Sequence, residues 1–177
     1  MSSPRSRLGV LIAITLLAAG AGSAHAFGLT GIGARVGSVD PEGRDGTLAG
    51  GAHLEFEQAG SQLHMQPNFI YWSSNGLSDA NPNFDLYYHF SPAGRVSPYL
   101  GGGAGLHFYG TDGPGDPGTD LGVNMFGGLV IPSPGANFFM EGRYVASDRS
   151  QAAIYGGVTL PLSGHGGYGH RSVDKGR

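Results

Sequence analysis

The sequence predicts an all-β protein: an eight-stranded antiparallel up-and-down transmembrane β-barrel. Three observations lead there. Eight short stretches between residues 28 and 162 alternate apolar and polar side chains. Residues 1–26 have the form of an export leader, and no second hydrophobic helix follows. Glycine contributes 34 of 177 residues and falls inside the strand-like stretches. An exported chain without a spanning helix can satisfy its backbone in a membrane only by closing its strands on themselves.

The leader reads as a signal peptide. Arg5 and Arg7 supply the positive start, and Leu8 to Ala19 is an apolar run too short for a spanning helix. Ala24-His25-Ala26 fits the small-x-small cleavage rule, which puts the mature start at Phe27, with a cut after Ala24 as the alternative. Cysteine is absent, which excludes lipid attachment at a cysteine and disulfide staples. The remainder is expected to divide into a barrel over 27–162 and a polar periplasmic tail over 163–177, without stable structure.

Each stretch has its own alternation. In Gly28–Ser38, Ile32, Ala34 and Val36 oppose Gly33, Arg35 and Gly37. In Thr47–Glu57, Leu48, Leu54 and Phe56 oppose His53, Glu55 and Glu57. Gln62–Trp72 sets Leu63, Met65, Phe69 and Tyr71 against His64, Gln66 and Asn68. A two-residue turn at Ala59-Gly60 would pair Phe56 with Leu63, Leu54 with Met65 and Glu55 with His64, each with a partner of its own kind. Asn83–Phe90 sets Phe84, Leu86 and Tyr88 against Asp85, Tyr87 and His89. Pro98–Tyr109 has Leu100, Ala104, Leu106 and Phe108 on one face. Asp120–Ile131 has Leu121, Val123, Met125 and Leu129 opposite Asn124. Asn137–Val145 sets Phe138, Met140 and Tyr144 against Glu141 and Arg143, and Gln151–Leu162 sets Ile154, Val158 and Leu160 against Tyr155 and Thr159.

Strands of about ten residues, tilted near 45°, span the roughly 25 Å apolar band of an outer membrane. An even count puts both chain ends on one side. Connections 39–46, 73–82 and 110–119 are expected to be long outer loops, and 58–61, 91–97 and 132–136 short periplasmic turns. Pro67 is expected to mark a bulge, because it cannot donate to a ladder.

The run Gly31-Ile32-Gly33-Ala34-Arg35-Val36-Gly37, the run Ser97-Pro98-Tyr99-Leu100-Gly101-Gly102-Gly103-Ala104-Gly105 and the run Phe139-Met140-Glu141-Gly142-Arg143-Tyr144 carry a resemblance. In their order and spacing the chain resembles the small eight-stranded outer-membrane barrels of the OmpA/OmpX-like group, over the mature chain to Leu162. The resemblance implies residence in the cell outer membrane after export. It also implies contact with outer-membrane lipids and lipopolysaccharide, insertion by the barrel-assembly machinery, and a monomer. The chain departs from that group in ending its last strand on Leu160-Pro161-Leu162 rather than on an aromatic residue.

The chemistry-bearing residues lie mostly on the inward parity. Arg35, Glu55, Asp85, Glu141 and Arg143 are expected to form a lumen charge network, joined by His53, Glu57, His64, His89, His107 and Asp120. Charges inside a narrow barrel must pair, and an eight-stranded bore is filled by side chains, so a salt-bridged plug is preferred to an ion path. Leu54, Met65, Leu86, Leu106, Met140 and Val158 are expected to face lipid. Outward Phe56, Tyr88, Phe90 and Phe138 would form one interfacial aromatic band, and Tyr71, Phe84, Phe108 and Tyr144 the other.

These features point to a structural or surface-interaction protein without catalysis or cofactor. Two rivals remain. His89-Phe90-Ser91 looks like the His-x-Ser element of outer-membrane lipid A deacylases, although its parity is inward. A soluble lipocalin-like binder would turn the apolar face inward around a ligand. Asp112 and Asp116, in a Gly/Pro-rich loop, and His165 and His170, in the tail, are read as turn and tail chemistry rather than as metal sites. The formal charge of −3 argues against a nucleic-acid partner.

Overall fold

A computed structural model describes residues 27–90, 95–111 and 118–162. The eight strands are β1 (Phe27–Pro41), β2 (Thr47–Gln58), β3 (Leu63–Ser74), β4 (Leu77–His89), β5 (Ser97–Thr111), β6 (Thr119–Ser133), β7 (Ala136–Ala146) and β8 (Gln151–Pro161). They pair in sequence order, all antiparallel, and β1 pairs with β8 to close the barrel. Closure leaves no strand edge unpaired.

Every strand keeps one parity inside and the other outside. On β4, Asp79, Asn81, Asn83, Asp85, Tyr87 and His89 are buried, while Phe84, Leu86 and Tyr88 are exposed on the outer wall. Polar groups face the bore and apolar groups face outward, the reverse of a soluble protein. The lipocalin-like alternative needs an apolar cavity, whereas this bore is filled and largely polar.

Several sequence expectations are corrected. The stretch 73–82 is no long loop. β3 runs on to Ser74, β4 starts at Leu77, and Asn75-Gly76 alone joins them. Both turn residues have positive φ, 47° and 73°, the backbone of a type I′ hairpin turn. Ser78, Asp79, Asn81 and Pro82 looked like loop residues because Ser, Asp, Asn and Pro are the common turn formers. The β2–β3 register differs by two residues from the expected one: Phe56 faces Met65 and Glu57 faces His64. The turn spans four residues, closed by the Ser61 amide donating to the Gln58 carbonyl at 3.0 Å with Gly60 at φ 76°. A two-residue shift preserves parity, so side-chain alternation cannot detect it.

Pro67 causes no bulge. The pairing passes from His53–Asn68 to Phe56–Met65 without a change of register; the irregularity lies in β1, between Leu29 and Gly31. Pro82 interrupts the β4–β5 ladder in the same way, between Ala80–Phe108 and Asn83–Gly105. There the Asn81 side-chain amide donates to the Leu106 carbonyl at 3.0 Å, at the level where Pro82 has no N–H to offer. With β4 starting at Leu77, Phe84 sits mid-strand rather than in an aromatic band at the strand end.

At one end of the barrel, the loop end, lie connections 42–46, Asn75-Gly76 and 147–150, with the end of β5 at Thr111 and the start of β6 at Thr119. At the other, the terminal end, β1 begins at Phe27 and β8 ends at Pro161. The loops clasp one another. Asn75 Nδ2 donates to Asp45 Oδ2 at 3.0 Å, and the Glu42 amide donates to the Ser150 carbonyl at 2.8 Å. Asp112, Asp116, Ser91, His165 and His170 lie outside the described residues.

Candidate functional site

The bore is built in layers. At the loop end Val39, Ile70, Trp72, Leu77, Tyr109 and Tyr155 form an apolar plug. Toward the terminal end Tyr87, Tyr99, Phe126 and Phe139 form an aromatic layer with Val130. Charged residues fill the space around and between them.

Arg143 on β7 is the hub. Its Nη2 lies 2.8 Å from Asp85 Oδ2 on β4, and its Nε donates to Glu141 Oε1 at 2.9 Å. Arg35 on β1 donates to the same Glu141 oxygen at 2.9 Å and also bonds Gln66 on β3. Tyr99 donates its hydroxyl to Glu141 Oε2 at 3.0 Å. Asp85 further accepts from Asn68 at 2.8 Å and Asn124 at 3.0 Å. Two guanidiniums and two carboxylates balance, and the hydrogen bonds cross the bore among six strands. The Arg143 guanidinium also lies 4.3 Å from the Phe126 ring centroid. The interior charges are therefore paired where an unpaired one would be costly.

Glu55 meets Tyr87 and His64: it accepts the Tyr87 hydroxyl at 2.5 Å and lies 3.3 Å from His64 Nδ1. Glu57 and Asp120, expected inside, are only half-buried at the two mouths; Asp120 accepts the Asp148 amide at 2.6 Å and so caps the β7–β8 loop. A second network escaped the sequence reading because Asp79 fell in a supposed loop. His107 Nδ1 is 2.7 Å from Asp79 Oδ2, Gln151 donates to that oxygen at 3.2 Å, and Trp72 donates to Gln151 at 3.0 Å. The signal that could have found it was Asn75-Gly76, the strongest short hairpin cue.

Glycine makes this filling possible. Asn83, Asp85 and Tyr87 on β4 stand opposite Gly105, Gly103 and Gly101 on β5, and Tyr99 stands opposite Gly128 on β6. A Cβ on Gly128 would come within 2.6 Å of the Tyr99 ring. Each bulky inward group takes the volume its neighbour leaves empty.

On the outer wall Leu54, Leu86, Leu106 and Met140 are exposed, and Met65 and Val158 are half-exposed. The His89 ring lies inside the bore, 4.5 Å from that of His64 and 5.6 Å from that of Tyr99. At the loop end an open cleft of about 710 Å³ is bordered by Asp40, Glu42, Arg44, Asp45, Asn75 and Tyr144.

No family model and no curated protein matches the chain. Among solved structures it is similar to Neisserial surface protein A, with a TM-score of 0.68 and 13% identity, covering 77% of this chain and 99% of that one. It is also similar to Ail, the attachment invasion locus protein of Yersinia pestis, with a TM-score of 0.52 and 15% identity over 76% of this chain and 97% of that one. The outer membrane enzyme PagL aligns with a TM-score of 0.52 and 13% identity, over 75% and 99% of the two chains. The fold is thus that of the small eight-stranded outer-membrane barrels, shared by surface proteins and by an enzyme.

Proposed function

We propose that this chain is a monomeric outer-membrane β-barrel, delivered by export, with a structural or surface-interaction role and no catalysis. The observation that carries the reading is the inside-out distribution of polarity. Leu48, Leu100, Met125, Met140 and Ile154 are each more than 60% exposed on the outer wall, while Arg35, Asp85, Glu141 and Arg143 are each at most 4% exposed. Only a lipid surround makes such a wall favourable.

The charged groups that catalysis or conduction would need are engaged with one another across the bore. The His89 ring packs inside the barrel, out of reach of an acyl ester in the surrounding lipid. The partners in this reading are outer-membrane lipids and lipopolysaccharide at the wall and loops, with the barrel-assembly machinery inserting the chain. No cofactor enters it.

Cell fractionation with heat-modifiable gel migration tests the location: the folded, faster-migrating form is expected in the outer-membrane fraction. Recovery in the soluble periplasm would overturn it. Planar-bilayer recordings test the closed bore, where steady single-channel currents would count against it. Release of fatty acid from lipopolysaccharide by the purified barrel would restore the enzyme reading.

A further inference from the structure

We propose that Glu55, His64 and His89 form a binding site for one divalent transition-metal ion of the zinc type, inside the terminal end of the bore. The site follows from strand register. His64 on β3 stands opposite Glu57 on β2 and opposite Tyr87 on β4. Residues displaced by two on a neighbouring strand are diagonal neighbours on the same face. Glu55 and His89 occupy those two diagonals, one on each side of His64. Three consecutive strands thus bring a carboxylate and two imidazoles to one point, all three buried.

The distances suit an ion. One ligand atom from each residue lies within 4.8 Å of the others. His64 Nδ1 is 3.3 Å from Glu55 Oε1, and the centroids of the two histidine rings are 4.5 Å apart. Donors at about 2.0–2.1 Å from a shared ion stand roughly 3.4 Å apart in a tetrahedron, so a modest inward movement completes the set.

The surroundings orient the ligands. Tyr87 donates its hydroxyl to Glu55 at 2.5 Å and stacks on His64, with ring centroids 4.9 Å apart and planes 18° apart. Such outer contacts hold ligand rings and carboxylates in place. Beside the Glu55 carboxylate, a cavity of about 20 Å³ bordered by Glu55, Gln66, Tyr87 and Tyr99 has room for one water. Glu57, partly exposed at the terminal mouth and 3.8 Å from His64 Nδ1, draws a cation in and offsets the charge that remains after Glu55. Two nitrogens and one carboxylate favour zinc, nickel or copper over calcium, which takes six to eight oxygens.

The test uses the purified full chain folded in detergent micelles, titrated with zinc chloride and, in parallel, with cobalt(II) as a spectroscopic stand-in. The expected result is one zinc per chain, a rise of several degrees in thermal midpoint, and an intense four-coordinate cobalt spectrum. His64→Gln and His89→Gln are each expected to weaken zinc binding at least tenfold, while a tail variant, His165→Gln/His170→Gln, binds as the parent does. Heat-modifiable migration checks that each variant is folded. If neither bore variant folds, the cobalt spectrum of the parent decides. Absence of binding, binding that survives in folded His64→Gln and His89→Gln, loss of binding in the tail variant, or a weak six-coordinate cobalt spectrum would each overturn the proposal.

Discussion

Gly103 stands directly opposite Asp85 across the β4–β5 pair, and a methyl group on Gly103 would lie 2.2 Å from Asp85 Oδ1. The carboxylate that binds Arg143 occupies the volume of an absent side chain. The hub of the bore therefore depends on a residue that contributes no atoms to it.

Gly103→Ala should displace Asp85 and strain its contact with Arg143. Overpacking of this kind costs about 1–3 kcal/mol. Gly142→Ala is the matched control, since a Cβ there meets nothing within 4 Å. Urea unfolding of both variants in lipid vesicles checks this; equal stability would reject the close fit.

Arg143→Ala removes the arginine partner of Asp85 and one of the two arginine partners of Glu141. Breaking a fully buried pair on one side costs about 3–5 kcal/mol. Asp85→Ala in the same background should cost less than it does alone, because the orphaned charge is then gone. A thermal-melt double-mutant cycle with no coupling would refute the hub.

Leu106→Arg places a charge on the outer wall, where Leu106 is 45% exposed. Near the bilayer midplane the cost is about 2–4 kcal/mol, falling toward the interfaces. Folding yield in phosphatidylcholine vesicles reads it out. Folding equal to the parent would mean that this face does not meet hydrocarbon.

Gly76→Ala forces an L-residue into φ 73° at the β3–β4 turn. That strain costs about 1–2 kcal/mol. The loss should appear as a lower urea midpoint with the folded-form gel shift retained. An unchanged midpoint would argue against the tight turn.

By itself, the sequence determined the number of strands and which residues share a face; burial in the closed barrel decided which face is inward. Alternation is a local property, so that Leu54 and Glu55 lie on opposite faces follows from their neighbours alone. It did not determine register: a two-residue shift leaves every face intact, and the four-residue turn at 59–62 together with closure of the ring decided that Phe56 meets Met65. Nor did it show that Asp79 lies inside, because a polar inward face beside Pro82 has the same composition as a loop. Apart from Arg143 and Glu141, neighbours on one face of β7, the pairing of charges was a matter of tertiary structure. Arg35 and Glu141 are 106 positions apart and meet at 2.9 Å because β1 and β7 both adjoin β8 in a closed ring. Which carboxylate each arginine reaches depends on strand stagger and on the room glycine leaves, and a linear pattern of residue types carries neither.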